Sequence, residues 1–315
     1  GTDLRQVERA IRMAARYKYN AVALEMWASL VSVSHPYTAY RHAYTAADLR
    51  PLVELARGFG MDVIPALNSW GHASGMRQRS AAHVVLDRFP EKAALFEPGG
   101  WSFCLSNPAI YPVLFDRYAE LMELMGPSPY FHAGMDEAWG YAPYHPCPRC
   151  GEKPAHELIA AHIARLHGHL AARGRQVFMW HDMFLRPEEP GLGRVFPANS
   201  RPPVNSHLAL PAVPRDVIIN AWNYDAAQPW PAPRFFHERG YRVVVSPWKS
   251  RPNTVMMVNT AKELGLMGVL ATTWDSLDVC LPSIGEAGVL AWTAPGYDLD
   301  AVPFDHWLGV IRALP

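Results

Sequence analysis

Tyr130-Phe131-His132-Ala133-Gly134-Met135-Asp136-Glu137 is the stretch on which the fold turns. Its first four residues form a largely apolar run, the pattern of a strand covered on both faces, and parallel sheets are made of such strands. Gly134 then allows a bend, and two carboxylates follow at once. Working outward, the same sequence of parts recurs: a short buried run, a polar cluster, then a segment with helical spacing. Residues 21–24, 62–64, 176–180, 216–220, 241–245 and 268–271 read as six further strands. Helices are predicted from Asp3 to about Tyr19, with apolar residues at 4, 7, 11 and 14 on one face, and over 46–57, where Thr45 is a cap and Gly58 and Gly60 end the run. Others are predicted from Asn107-Pro108 to about Met125, over 157–172 and over 254–264.

Seven strands, each followed by a longer connection, indicate parallel βαβ units in one sheet. The expectation is an α/β fold, a (β/α)8 TIM barrel filling residues 1–315 as a single catalytic domain, with its first strand expected before Gly1. A doubly wound open sheet is the rival, but no Gly-rich phosphate loop follows any strand. Length agrees, since α/β barrels of this size fold as one unit.

Composition narrows the function. Half of the 315 residues are hydrophobic and 18% are charged, which excludes a disordered chain. With 29 basic and 29 acidic residues there is no excess charge for nucleic acid. No run approaches the roughly 20 apolar residues that span a membrane, and no signal peptide is visible at Gly1. Four cysteines are too few for a secreted disulfide scaffold, so a reduced, cytoplasmic protein is expected. Cys147-Pro-Arg-Cys150 is a lone CxxC, read as a tight Pro-rich turn with free thiols; His145 and His156 lie close enough in sequence to complete a zinc site in principle. No metal and no cofactor is assigned. The 11 Trp suggest a cleft with flat apolar faces, which suits a carbohydrate ligand.

In a (β/α)8 barrel, chemistry gathers at the carboxyl ends of the strands. Here those ends carry Asn68, Trp70 and His72; Asp136, Glu137 and Trp139; Trp180, His181 and Asp182; Trp222, Asn223 and Asp225; Trp248 and Lys249; and Trp274 and Asp275. An indole beside a polar group at one strand end is ordinary packing. Repeated around the sheet, it describes a pocket with aromatic walls and a polar floor. Adjacent strand residues point to opposite faces, so Asp136 and Glu137 can share the pocket only where the strand gives way to a loop. Two neighbouring carboxylates raise the pKa of one of them, separating a proton donor from a charged partner, the division of labour in glycoside hydrolysis.

His132-Ala133-Gly134-Met135-Asp136-Glu137 resembles the H-x-G-x-D-E signature of glycoside hydrolase family 20, the β-N-acetylhexosaminidases. Ile64-Pro65-Ala66-Leu67-Asn68-Ser69-Trp70-Gly71-His72 is similar to the family's segment after the third strand, and Leu105-Ser106-Asn107-Pro108 to the opening of its next helix. Met179-Trp180-His181-Asp182-Met183 and Ala271-Thr272-Thr273-Trp274-Asp275 resemble its fifth and eighth strand ends, in the manner of short single-barrel members. The likeness runs over roughly residues 19–275. It implies a retaining exo-hydrolase in which the substrate's own 2-acetamido oxygen attacks the anomeric carbon. Glu137 would be the general acid and base, and Asp136 would orient the acetamido N–H. Trp180, Trp222 and Trp274 would wall the sugar, His72 and His132 would support the acid pair, and Asp182 and Asp275 would meet sugar hydroxyls. The expected partner is the terminal N-acetylhexosamine of an oligosaccharide or glycoconjugate.

The chain also departs from the family pattern. The arginine that grips the outer sugar hydroxyls belongs to the first strand. Pro247-Trp248 is followed by Lys249 where a tyrosine is usual, leaving Tyr224 as the substitute, and Glu25 is the nearest stand-in for the acidic pair after the second strand. Two alternatives follow: a barrel glycosidase of other specificity, with Asp182, Asp275 or Glu25 as nucleophile, and a catalytically silent sugar-binding barrel.

Overall fold

Seven short strands pair side by side in the order in which the chain makes them. The computed structural model describes residues 3–74, 85–138, 148–151, 153–228, 230–294, 296–299 and 304–314. The strands are β1 (Ala21–Glu25), β2 (Asp62–Ala66), β3 (Tyr130–His132), β4 (Gln176–Trp180), β7 (Ile218–Trp222), β8 (Arg242–Ser246) and β9 (Gly268–Val269), all parallel. Strand order equals chain order throughout, with no point at which it reverses. A doubly wound sheet must have such a switch point, so the curled sheet is of the (β/α)8 barrel type. A small antiparallel ribbon, β5 (Glu188–Glu189) with β6 (Gly193–Arg194), was not evident in the sequence.

Helices α1 (Leu4–Arg16), α2 (Ala46–Gly58), α3 (Ile110–Met125), α5 (Ala155–Ala171), α6 (Ala232–Glu238), α7 (Arg251–Glu263) and α8 (Leu277–Trp292) lie outside the sheet, with the one-turn α4 (Pro148–Gly151) and the terminal α9 (Phe304–Arg312). Thr45 and Asp48 form a full capping box, each side chain satisfying the other's backbone N–H. Several helix boundaries differ from expectation, and the helices expected over 157–172 and 254–264 begin earlier, at Ala155 and Arg251. The first helix stops at Arg16, short of Tyr19, and the third begins at Ile110, because Asn107 spends its side chain accepting from the Ala109 N–H at 3.0 Å. Helix α1 packs on α8: Tyr17 Cβ lies close enough to Gly288 that a Cβ there would fall 2.6 Å away, and the Tyr19 hydroxyl donates to Ile284 O at 2.8 Å. The helical layer therefore continues from the last strand's helix to the first, across the edges of β1 and β9.

Side-chain alternation on the strands builds two apolar layers. Phe131, Val177, Ile219 and Val243 face the helices in the main core, while Phe178, Ile218 and Val244 pack with Tyr130 and Leu270 inside the curl. Burying each such side chain contributes about 1.5–3 kcal/mol. The strand ends thus stand on a rigid base, and the segments after β2, β3, β4, β7 and β8 converge above it. Among the described residues no helix is long and apolar enough to cross a membrane.

Candidate active site

The loops after β2 and β3 run together, and two glycines permit it. Leu67 N donates to His132 O at 3.0 Å and Ser69 N to Ala133 O at 3.1 Å. Gly134 has φ +70°, and a Cβ there would lie 1.5 Å from Asn68 Oδ1 and 2.8 Å from Asn68 Cα; a Cβ on Gly71 would lie 2.1 Å from Asp136 O. Only glycine fits such contacts. Beyond Gly134 the backbone stays unusual, with Met135 at φ 85° and Glu137 at φ 44°. Left-handed backbone costs a residue with a Cβ roughly 1–2 kcal/mol, and strain of this kind gathers at functional sites. Its result here is geometric: Asp136 and Glu137 turn to the same side. His72 Nε2 lies 3.2 Å from Asp136 Oδ2 and 3.6 Å from Glu137 Oε2.

His72 is held between two indoles, Trp27 at 5.0 Å and Trp101 at 4.2 Å between ring centroids. Burial disfavours its charge, but Asp136, Glu137 and Glu25 outweigh that and raise its pKa. The imidazole thus donates to Asp136 and partly neutralises an acidic cluster. Asp136 Oδ1, by contrast, is buried with no hydrogen-bond partner among the described residues. Trp101 also donates its indole N–H to Glu137 O. Trp27 and Trp101 went unnoticed in the sequence: Trp27 is exposed beyond the strand end with φ 34°, and Trp101 follows Pro98-Gly99-Gly100 in a long loop without periodicity.

Below the acid pair lies a buried polar layer. His132, 4% exposed, accepts the Gly134 N–H at Nδ1 (3.1 Å), and its Nε2 lies 3.3 Å from the Asn220 amide; burial lowers its pKa to about 4, so it is a neutral support. Asp182 is completely buried. Its Oδ2 accepts from Glu137 N at 3.1 Å and Asn199 Nδ2 at 2.7 Å, and its Oδ1 from Trp222 Nε1 at 3.1 Å. Where a sugar hydroxyl was expected, protein donors meet both oxygens of Asp182, and the side chain braces Glu137 and Trp222. Burial and then the nearby Asp136 push its pKa up to about 7. Glu25, half-buried near Asp136 and His72, is pushed to about 7 by burial and then by Asp136. The residual charge conflict among the acids therefore falls on Glu25 and Asp182.

The aromatic wall is continuous. Trp222 lies over Tyr224 at 4.9 Å, Tyr224 meets Trp248 edge-on at 5.2 Å, and Trp274 donates its N–H to the Tyr224 hydroxyl at 2.5 Å. Trp274 is 47% exposed and reaches Trp180 at 6.1 Å, while Trp180 is 4% exposed and rests on His132 at 4.6 Å. Trp180 is thus the floor and Trp274 the rim. Trp70 belongs to the core, 2% exposed, and lines nothing. Asp275 is paired with Lys249 at the exposed rim, where such a pair is worth little in stability. Trp139, His145 and Cys147 lie outside the described residues.

The catalytic domain of glycosyl hydrolase family 20 matches residues 9–251. Beta-hexosaminidase 1 of Coccidioides posadasii (strain RMSCC 757 / Silveira) is 23% identical over 229 residues, which are 65% of this chain and 33% of that protein. Among solved structures, the chitobiase of Flavobacterium johnsoniae superposes with a TM-score of 0.67 at 17% identity, over 99% of this chain and 49% of that one. An exo-β-N-acetylglucosaminidase from Vibrio harveyi, solved with N-acetylglucosamine, gives 0.66 at 16% identity, over 98% and 54%. The chain thus spans about a third of its curated relative and about half of the two solved chains. With a family match over well more than half of its residues and a barrel-type sheet presenting paired acids at the strand ends, the chain belongs to glycosyl hydrolase family 20.

Proposed function

We propose that this chain hydrolyses terminal N-acetyl-β-hexosaminides with retention, using the substrate's acetamido group as nucleophile. The single observation that carries the reading is the asymmetry of Asp136: one oxygen is held by His72, and the other is buried with no donor among the described residues. An unpaired buried acceptor is costly unless a ligand meets it, and an acetamido N–H is a donor of the right kind. Asp136 then draws the acetamido group into line for attack of its carbonyl oxygen on the anomeric carbon, and its charge stabilises the oxazolinium cation that forms. Glu137, fixed by Asp182 at its N–H and by Trp101 at its carbonyl, protonates the departing glycosidic oxygen. In the second half of the cycle it takes a proton from the water that opens the ring. Tyr224, with Trp274 donating to its hydroxyl oxygen, is placed to donate to the acetamido carbonyl, and Trp222 and Trp248 enclose the methyl.

Burial and protein donors at both oxygens argue against a carboxylate nucleophile at Asp182. The test is a panel of aryl β-glycosides. An N-acetyl-β-glucosaminide should be cleaved and the glucoside without the acetamido group should not, and Glu137→Gln should abolish turnover on aryl leaving groups that need protonation. Equal rates on the two sugars would overturn substrate assistance.

A further inference from the structure

The loop that carries Trp101 is a tight hairpin. Phe96 and Phe103 bridge antiparallel, Glu97 N donates to Ser102 O at 2.8 Å, and Cys104 N donates to Leu95 O at 2.9 Å. This folding brings Glu97 and Cys104 together. The one-turn helix α4 then lays Cys150 against them, with the two sulfurs 3.6 Å apart. Glu97, Cys104 and Cys150 each offer a ligand atom, and these atoms all lie within 4.8 Å of one another. All three residues are buried, at 6%, 0% and 4% exposure.

A carboxylate buried against two thiols is a costly arrangement for its own sake, and an obvious one for a cation. Tetrahedral zinc with Zn–S bonds near 2.3 Å sets two thiolates about 3.8 Å apart, close to the observed spacing. A disulfide needs about 2.05 Å. We propose that Glu97, Cys104 and Cys150 are ligands of a structural zinc ion. The two thiols release their protons to solvent on binding, and Zn²⁺ takes the place of those protons. Arg149, whose Nη2 lies 3.5 Å from Cys104 Sγ, offsets the negative charge that three anionic ligands bring, as outer partners of thiolate sites do. From the sequence, Cys147 and Cys150 read as free thiols of a tight turn, with His145 and His156 the companions possible in principle. The donors that the fold supplies come from 46 and 53 residues upstream of Cys150.

The ion would fasten helix α4 to the hairpin, whose Trp101 packs tilted against His72 and donates to Glu137 O. This assignment is independent of the hydrolytic reading, since metal content can be measured without a substrate. The whole chain, expressed with zinc in the medium and purified under reductant without chelator, should carry about one zinc per chain by mass spectrometry. X-ray absorption should show at least two sulfurs near 2.3 Å. Cys104→Ser and Cys150→Ser should each reduce the zinc content to a small fraction. Stripping the unmutated protein with a chelator should lower its thermal midpoint and expose the two thiols to a thiol reagent, and added zinc should reverse both effects. Unmutated protein that neither carries zinc nor takes it up on titration would overturn the proposal, as would full zinc content in both variants or a Cys104–Cys150 disulfide in the reduced preparation. The first of these readings needs no variant to fold.

Discussion

Gly134→Ala isolates the contact that brings the two active-site loops together. The substitution forces a residue with a Cβ to hold φ +70°, and its methyl would meet Asn68 Oδ1 at 1.5 Å, Asn68 Cγ at 2.4 Å and Asn68 Cα at 2.8 Å. Turning the Asn68 side chain relieves the first two clashes but leaves the third, which is backbone. Left-handed strain of roughly 1–2 kcal/mol and overpacking of about 1–3 kcal/mol give a destabilisation of roughly 2–5 kcal/mol. At about 2 °C per kcal/mol for a chain of this size, the thermal midpoint should fall by roughly 4–10 °C. Relief requires the loop after β2, which carries His72, to move away from the loop that carries Asp136. A displacement near 1 Å at reacting groups costs on the order of 100-fold in rate, so kcat on an aryl N-acetyl-β-glucosaminide should fall by about that factor. Gly58→Ala is the control: it ends helix α2, and a Cβ there meets nothing within 4 Å. Its expected effect is neutral or stabilising by about 0.5 kcal/mol. The reasoning fails if Gly134→Ala matches Gly58→Ala in both calorimetry and kcat.

Asp136→Asn removes the charge while keeping the shape, and kcat on the acetamido substrate should fall by about 100- to 1,000-fold with little change in KM; a residual rate within about threefold of the unmutated protein, roughly 0.65 kcal/mol, would leave Asp136 without the proposed role. Asp182→Asn tests the buried brace by its pH dependence. The folded pKa of Asp182 is raised to about 7 from an ordinary 3.8, so the stability it contributes is complete below about pH 4 and is lost as pH rises through about 7. Asn has no proton to lose, and Glu25 and His72 titrate in both proteins. The difference in thermal midpoint should therefore move in favour of Asp182→Asn between about pH 5 and about pH 8, and parallel curves would refute a raised pKa.

The fold was legible because barrel strands announce themselves: buried on both faces, they are short apolar runs, and the spacing between them fixes the sheet's order. The acid pair was legible for a related reason, since polar residues directly after such runs have nowhere to go but the rim. Other parts of the site left no mark. Trp101 and Asn199 reach the site from irregular segments, where no period relates one residue to another. The left-handed Met135 and Glu137 are residues with no preference for that backbone, so only the surrounding hydrogen bonds select it. Asp182 was found in sequence, but its bracing bonds were not, because their donors come from residues 137, 199 and 222. The zinc ligands were half legible: the CxxC pointed to Cys150, but the folding of the hairpin chose its companions.

The bonds to Asp182 have a bearing on which parts of this site can change independently. One side chain ties the Glu137 backbone to the Trp222 indole, so neither can drift without the other. The outer positions are held more loosely: Trp27 and Trp274 are 40% and 47% exposed, and Lys249 and Asp275 pair at the exposed rim. Substitution at those four residues should therefore disturb the buried brace less than substitution at Asn199 or Trp222, whose side chains donate to it.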